Sequence, residues 1–310
     1  MNNVPLFSFA IVNWNTRDLL DECLASIRAA SGDLPIEILV ADNASSDGSA
    51  HMVRQKYPEA VLIETGGNLG FAGGHFPLFE RGTGRYHVLV NSDVRLTNDC
   101  LAPILARLDA DPDIGVLGCR ILGHDGELQP SCRRFPNLWF QLIEGTGINR
   151  LFPRSGFWNS YKMGDFDHDY AREVDQVMGS FFVIRREVVN QIGPLDRGFF
   201  MYYEEVDYCL RAKQAGFKVF FDPAATVYHA GGASADKVKV LTIRRLMRSM
   251  RRYYEKNHGR FTWFPLLAIL SLDGVTHCLF ALLRRRQPLT TAKAYWLAWW
   301  DVLLRKPAHF

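Results

Sequence analysis

The sequence predicts an α/β fold in which a Rossmann-like, mostly parallel sheet carries helices on both faces and is followed by a helical C-terminal segment. Through the first 120 residues, near-continuous apolar runs alternate with segments whose apolar residues recur at helical spacing. Apolar runs of this kind are typical of strands buried on both faces of a parallel sheet. Hydrophobic residues make up 48% of the 310 positions and charged residues 22%, which predicts a sizeable packed core and excludes global disorder.

Each element of this fold is read from its apolar pattern. In the first part of the chain, the pattern predicts strands at residues 7–12, 36–41, 61–64, 86–90 and 114–117, and helices at 18–30, around Met52 and Val53, and from Leu101 to Leu108. Residues 120–175 have weak periodicity, so irregular loops are expected there. Order returns with strands at 176–185, 218–221 and 226–229 around a helix at 204–215.

The C-terminal segment differs from the rest in composition. A basic helix is predicted at 238–254, an apolar one at 261–283 that ends in three arginines at 284–286, and a Trp-rich one at 292–304. The apolar stretch is long enough to span a bilayer, which takes about 20 residues, but Asp273 and His277 lie near its middle. We therefore favour helices that lie in the membrane interface, with tryptophan at headgroup depth and arginine on phosphates. An ordinary buried hairpin and a spanning helix are the alternatives.

Several classes of protein are disfavoured by simple counts. A net charge of +3 is too small to indicate a nucleic-acid partner. The six cysteines are scattered without CxxC spacing, which indicates reduced thiols in a cytosolic protein. The N-terminal apolar run is broken by Asn13 and lacks a basic start, so we interpret it as the first strand and not as a signal peptide.

Polar clusters follow several of the predicted strands, where ligands bind in parallel α/β sheets. Asn91, Ser92 and Asp93 follow a central strand, and an aspartate there suits Mg²⁺ or Mn²⁺ shared with a diphosphate. Residues 42–48 follow the second strand, and Asp42 could accept a hydrogen bond from a base. The glycines of residues 66–74 permit close backbone approach to a phosphate at a helix N-terminus. Turns and helix caps would explain each cluster equally well in isolation.

Two further clusters lie in the second half of the chain. Three carboxylates, Glu204, Glu205 and Asp207, open a helix. Asp207 can pair with Arg211 one turn later, which would leave Glu205 free as a general base. His229 ends an apolar strand and gains a role only if its imidazole meets the metal held by Asp93. Charge matching at a helix N-terminus and a structural histidine are the alternatives.

In their order along residues 6–235, these motifs resemble the inverting glycosyltransferase family 2, and within it the bacterial rhamnosyltransferase-like branch. The resemblance rests on the polar end of the first strand, the Asp-Asn-x-Ser-x-Asp-Gly motif, the glycine segment, the Asn-x-Asp motif, a Gly-Ser-Phe segment before an arginine, the acidic doublet and a late histidine. The matching positions are 12–15, 42–48, 68–74, 91–93, 179–185, 204–211 and His229.

The resemblance implies a GT-A fold and a role for each matching residue. Glu205 would be the catalytic base, and Asp93 and His229 would hold Mg²⁺ or Mn²⁺. The nucleotide sugar would contact Val12, Asn13, Trp14, Asp42, Asn68, Gly70, Phe71, Gly74, Asn91, Ser92 and Asp93. Gly179, Ser180, Glu204, Asp207 and Arg211 would form the acceptor site or support it.

The same resemblance implies the organisation and function of the whole chain. Residues 1–237 would form the transferase domain, with a nucleotide-sugar half at 1–118 and an acceptor half at 119–237, and residues 238–310 the membrane-associating region. The expected reaction is inverting, metal-dependent transfer of a sugar, with dTDP-rhamnose the expected donor, to a glycan or a polyprenyl-diphosphate-linked acceptor in envelope polysaccharide assembly. The expected location is the cytoplasmic face of the plasma membrane, against its anionic surface.

Two other functions stay open on the sequence alone. A sugar-phosphate nucleotidyltransferase also uses an α/β nucleotide domain and a metal, although residues 6–20 lack the glycine-rich basic loop such enzymes carry. A non-catalytic, membrane-associated adaptor with a degenerate transferase domain is the second possibility, and the presence of Asp42, Asp93, Glu205 and His229 argues against it.

Overall fold

A computed structural model describes residues 4–231, 239–283 and 288–308 of the protein. Its strands are β1 (Phe7–Asn13), β2 (Ile36–Asp42), β3 (Val61–Glu64), β4 (Tyr86–Asn91), β5 (Val94–Leu96), β6 (Ile114–Leu122), β7 (Cys132–Arg133), β8 (Arg172–Glu173), β9 (Gln176–Val177), β10 (Phe181–Arg185) and β11 (Lys218–His229). Its helices are α1 (Arg17–Ser31), α2 (Ser49–Lys56), α3 (Gly70–Arg81), α4 (Leu101–Ala110), α5 (Leu138–Thr146), α6 (Arg186–Ile192), α7 (Glu204–Gln214), α8 (Lys239–His258), α9 (Trp263–Leu283) and α10 (Pro288–Leu303).

A nine-stranded sheet forms the centre of the molecule, in the order β3-β2-β1-β4-β10-β6-β11-β5, with β8 paired to β11. The first four strands are mutually parallel, as are β6 and β11. Strand β10 is inserted antiparallel between β4 and β6. One apolar core lies under α1, α2 and α4, and a second lies on the opposite face under α3, α6 and α7. The predicted α/β fold class is confirmed.

The segment predicted as a single strand at 176–185 is two strands. Residues of β9 pair with β7 in a separate two-stranded sheet, whereas β10 joins the central sheet. The chain changes sheets at Met178, Gly179 and Ser180. Conversely, the two strands predicted within 218–229 are one long strand with an irregular register between Asp222 and Thr226. Continuous apolar composition does not reveal such a change of partner.

The region 120–175, predicted as irregular, contains one regular helix. Asn137 caps α5 by accepting a hydrogen bond from the backbone N–H of Phe140 at 2.9 Å, and Gly147 ends the helix in the left-handed conformation at φ +72°. Because α5 is apolar on most of its faces, it packs on α9 without producing a clear helical period.

The C-terminal helices pack against the remainder of the protein. A third apolar core joins α8, α9 and α10 to Phe199, Tyr203 and Val206 at the start of α7. Asp301 on α10 is buried and lies within 3.1 Å of a nitrogen of each of Arg244, Arg248 and Lys306. The basic charge of α8, which was expected to face an anionic membrane, is therefore used largely inside the protein.

Helix α9 has the length and apolar composition needed to cross a membrane, and it is the one such helix within the described ranges. Only 17% of its most apolar window is buried, and Val275, Leu279 and Leu283 are among its exposed side chains. Asp273 and His277 pair with each other at 3.0 Å. The arginines at 284–286, which were expected to contact lipid phosphates, lie outside the described residues.

Candidate active site

A cavity of about 380 Å³ opens at the carboxyl ends of β1 and β4. Residues predicted from widely separated parts of the sequence share its wall. They are Val12, Trp14, Asn68, Gly70, Phe71, Asn91, Ser92, Asp93, Gly179, Ser180, Glu204, Glu205 and His229. The sheet order explains the convergence, because β10 and β11 return the second half of the chain to the edge where β4 ends.

Asp93 and His229 are brought together by β5, a three-residue strand that the sequence analysis did not predict. Strand β5 pairs antiparallel with the end of β11, so that Val94 lies opposite His229. The backbone N–H of Ala230 donates to the carbonyl oxygen of Asp93 at 3.0 Å. As a result, the His229 Nε2 atom lies 3.4 Å from Asp93 Oδ1 and 3.5 Å from Asn91 Nδ2.

Gln129 holds the other side of the His229 ring. Its Oε1 atom lies 2.9 Å from His229 Nδ1, and its Nε2 atom donates to the His229 carbonyl oxygen at 2.9 Å. An acceptor at Nδ1 places the imidazole proton there and leaves the Nε2 lone pair directed at Asp93. Gln129 therefore sets both the tautomer and the orientation of the histidine.

This arrangement fits a divalent cation. A carboxylate oxygen and an imidazole lone pair 3.4 Å apart match neighbouring ligands on one ion, whose bonds to such ligands are about 2.1 Å long. Across residues 4–231, 239–283 and 288–308, no group of three or more His, Cys, Asp or Glu side chains is placed to hold a metal. Asp93 and His229 would thus hold an ion whose other ligands come from a diphosphate and water.

Glu204 and Glu205 start α7 directly after two residues with strained backbone. Tyr202 and Tyr203 have φ values of +70° and +69°, a left-handed conformation that non-glycine residues seldom adopt. The turn directs Glu204 into the protein, where it is 5% exposed. Glu205 is less buried and faces the cavity beside Gly179, where a β-carbon would lie 3.4 Å from Glu205 Cβ.

Burial raises the pKa of both carboxyl groups. The pKa of Glu204 lies well above its ordinary value, because of desolvation first and the neighbouring charge of Glu205 second. Desolvation also raises the pKa of Glu205, while the guanidinium of Arg133 opposes that rise. The Oε2 atom of each glutamate is buried and has no hydrogen-bond partner among the described residues. A carboxylate with a raised pKa in the wall of a cavity is suited to accepting a proton.

Gly70 closes the glycine segment against the residues before α7. Its φ of +73° is in the region that favours glycine, and a β-carbon there would lie 2.1 Å from the Phe200 carbonyl oxygen. The next residue, Phe71, donates its N–H to that same oxygen at 2.7 Å. Helix α3 therefore begins inside the predicted glycine loop and joins the two halves of the site.

Five of the predicted site residues do not line the cavity. Asn13 and Asp42 are buried and bond each other, with Asn13 Nδ2 donating to Asp42 Oδ1 at 3.0 Å. Gly74 lies within α3, against the side chain of Val12. Asp207 and Arg211 form the expected ion pair at 2.9 Å, with Asp207 fully buried. In this structure these residues brace the cavity from behind.

Among the residues of the site that the sequence did not predict, three polar ones matter most for its chemistry. Gln129 belongs to the region read as irregular. Arg133 on β7 and Arg245 on α8 line the cavity, and Arg245 comes from the region predicted to serve only the membrane. None of the three belongs to a recognisable motif, although an arginine among the cations of α8 was visible in the sequence.

Comparison with known proteins agrees with this geometry. The family described as Glycosyl transferase family 2 matches residues 8–193. The chain is 30% identical over 224 residues to the N-acetylglucosaminyl-diphospho-decaprenol L-rhamnosyltransferase of Mycobacterium tuberculosis, covering 68% of this chain and 71% of that protein. It is 26% identical to the low-salt glycan biosynthesis hexosyltransferase Agl10 of Haloferax volcanii, covering 68% of this chain and 63% of the relative.

The fold has a solved counterpart in the mannosyltransferase PcManGT of Pyrobaculum calidifontis, determined in complex with GDP-Man and Mn²⁺. The two share 17% sequence identity and a TM-score of 0.58, over 98% of this chain and 89% of the other. Fold and site together define a glycosyltransferase of the GT-A type. The chain belongs to glycosyl transferase family 2, as its motifs predicted, and the nucleotidyltransferase and the non-catalytic adaptor are set aside.

Proposed function

We propose that this glycosyltransferase transfers L-rhamnose from dTDP-rhamnose, with inversion, to a polyprenyl-diphosphate-linked saccharide in envelope polysaccharide synthesis. The observation that supports the proposal is that Asp93, His229 and Glu205 line one cavity, as a metal site and a base that act on the same ligand require. The choice of sugar and acceptor rests on the mycobacterial relative, whose name specifies both.

Glu205 acts as the base in this reaction. Its carboxylate accepts the proton of an acceptor hydroxyl while the hydroxyl oxygen forms a bond to the anomeric carbon of the donor. The bond from the anomeric carbon to the diphosphate breaks in the same step, and the nucleoside diphosphate leaves with the electron pair. A single displacement from the opposite side inverts the anomeric configuration.

Asp93 and His229 would hold Mg²⁺ or Mn²⁺, with Gln129 fixing the imidazole. When bound, the ion would neutralise the negative charge that develops on the departing diphosphate. Trp14 and Val12, at the end of β1, and Asn68 would line the nucleotide-sugar side of the cavity. Asp42 and Asn13 would support that wall through their mutual hydrogen bond.

The C-terminal helices associate with the cytoplasmic face of the membrane in this proposal. Helix α10 exposes Trp296 and Trp300 and packs on α9, which exposes several leucines. Exposed Trp139 and Leu142 on α5, which packs on α9, extend that surface. Apolar and tryptophan side chains of this kind enter the boundary between headgroups and acyl chains. A lipid-linked acceptor could then reach the cavity without leaving the bilayer.

The experiment is a transfer assay with a panel of nucleotide sugars, Mg²⁺ or Mn²⁺, and a polyprenyl-diphosphate-linked N-acetylglucosamine in detergent. Transfer of rhamnose from dTDP-rhamnose, lost on addition of EDTA, is expected. The variant Glu205→Gln should lower kcat by about 10²- to 10⁴-fold while binding dTDP as the wild type does. Glu187→Gln, which changes an exposed glutamate on α6, is the matched control. The proposal would be refuted if Glu205→Gln transferred sugar at the wild-type rate. It would also be refuted if no preparation of the protein transferred rhamnose.

A further inference from the structure

Arg245 differs from the other cations of α8. Among the side chains described in that helix, each remaining arginine and lysine lies within 4 Å of a carboxylate. The pairs are Arg244 and Arg248 with Asp301, Arg251 with Glu255, and Arg252 and Lys256 with Asp196. No carboxylate of the described residues lies within that distance of Arg245. The charge pattern of the helix thus leaves one cation without an acidic partner, and it is the one that faces the cavity.

The surroundings of Arg245 are partly apolar. Its guanidinium carbon lies 4.0 Å from the centre of the Phe200 ring, and its Nε atom is buried without a hydrogen-bond partner. Burial lowers the pKa of Arg245, but a guanidinium remains charged at neutral pH. The contact with the ring offsets part of the desolvation cost. A positive charge withdrawn from water without a counter-ion is unfavourable, so a bound anion would stabilise it.

A second guanidinium lines the same cavity. Arg133 lies on β7, where it pairs across the strands with Gln176. Its guanidinium is close enough to Tyr161 and Glu205 to influence the ionisation of both. Within the described part of the chain, Arg133 also has no carboxylate at ion-pair distance. Two cations without acidic partners therefore share a cavity with the catalytic base.

From this arrangement we infer that Arg245 and Arg133 form an anion site for a diphosphate group. This site is separate from the candidate metal ligands Asp93 and His229. The planar fork of a guanidinium matches two phosphate oxygens at once, which makes arginine well suited to binding this group. The inference rests on the proposed function and names a further recognition element of its substrate. The diphosphate of the lipid-linked acceptor is the source that we favour, because Arg133 lies beside Glu205, where the acceptor hydroxyl reacts. The donor's nucleoside diphosphate is the other source.

Binding measurements test this inference without turnover. Full-length protein in detergent is titrated calorimetrically with farnesyl diphosphate in EDTA, and separately with dTDP in Mn²⁺. Wild type, Arg245→Gln, Arg245→Lys and Arg133→Gln are compared. Arg260→Gln is the matched control, because Arg260 is exposed beyond the end of α8 and contacts Phe261. Loss of one charge-assisted contact should raise the Kd about tenfold or more.

The two ligands separate the sources of the diphosphate. Weaker binding of farnesyl diphosphate alone by Arg245→Gln and Arg133→Gln, with partial recovery in Arg245→Lys, assigns the site to the acceptor. Weaker binding of dTDP alone assigns it to the donor, and weaker binding of both assigns it to a shared position. Unchanged Kd values for both ligands, in variants with wild-type thermal unfolding, would overturn the inference. Arginine-dependent binding by a wild type that transfers no rhamnose would refute the proposed function and leave the anion site standing.

Discussion

Substitution of Gln129 tests how the candidate metal ligands Asp93 and His229 are held in place. In the variant Gln129→Leu, His229 loses two hydrogen bonds of 2.9 Å, one at the ring Nδ1 and one at the backbone carbonyl. The Nδ1 proton then has no fixed acceptor, so the Nε2 lone pair is no longer held toward Asp93. We expect the variant to fold and to bind Mn²⁺ more weakly.

The size of the effect follows from these contacts. Two hydrogen bonds contribute about 2 kcal/mol in total, and about 1.4 kcal/mol corresponds to a tenfold change in affinity. The dissociation constant for Mn²⁺ should therefore rise roughly tenfold to thirtyfold, within the range seen when residues supporting a metal ligand are changed. Gln129→Glu keeps an acceptor for the Nδ1 proton but loses the donor to the His229 carbonyl, so its dissociation constant should rise less than that of Gln129→Leu.

Electron paramagnetic resonance of free Mn²⁺, with and without dTDP, measures this affinity independently of catalysis. Thermal unfolding of each variant separates a local change at His229 from loss of the fold. Equal Mn²⁺ affinity in Gln129→Leu and the wild type would refute the role given to Gln129. Equal losses in Gln129→Leu and Gln129→Glu would show that an acceptor at Nδ1 is not what matters.

Two predictions concern stability. Asp301→Asn removes the charge shared by Arg244, Arg248 and Lys306. Because the carboxylate is buried, chemical denaturation should show that the free energy of unfolding falls by about 3 kcal/mol. The control Asp18→Asn, at an exposed position, should leave it unchanged, and equal stabilities of the two variants would contradict the packing of α8 on α10. Burial lowers the pKa of His87 to about 3, so this residue stays neutral in the folded state while its unfolded form protonates near pH 6.5, and stability falls as pH drops below that value. His87→Leu should remove this destabilisation, which is about 3 kcal/mol at pH 4.5 relative to pH 7. An unchanged pH dependence of stability, or an equal effect of changing exposed His51, would contradict this reasoning.

The first half of the fold was largely predictable because its elements obey local rules. Strands β1, β2 and β4 are mainly apolar and mostly buried, and α1 carries its buried leucines at helical spacing. Strand β3 was predicted with its observed bounds. The cavity residues after β1 and β4 could also be predicted from the sequence, because parallel strands bring their carboxyl ends to one edge of the sheet.

The remainder depends on contacts between distant segments. Strand β5 is three residues long and exists because β11 pairs with it, so no local signal marks it. Gln129 can be recognised only by its hydrogen bonds to His229. Arg245 can be recognised only because it lacks the carboxylate partner that the neighbouring cations of α8 have. The C-terminal helices resemble membrane-seeking segments in composition, yet most of their cations meet carboxylates inside the protein. Composition alone cannot distinguish a charge that faces phosphate from one that is neutralised internally.

Helix α8 has one end in the catalytic cavity and packs along its length against the apolar helices that follow it. Thr242 and Arg245 form part of the cavity wall, while Met247, Met250 and Tyr253 belong to the core shared with α9 and α10. A protein shortened to end before residue 239 would lose both of these cavity residues, and its cavity would be open on that side. The C-terminal helices therefore cannot be removed without changing the wall of the candidate active site.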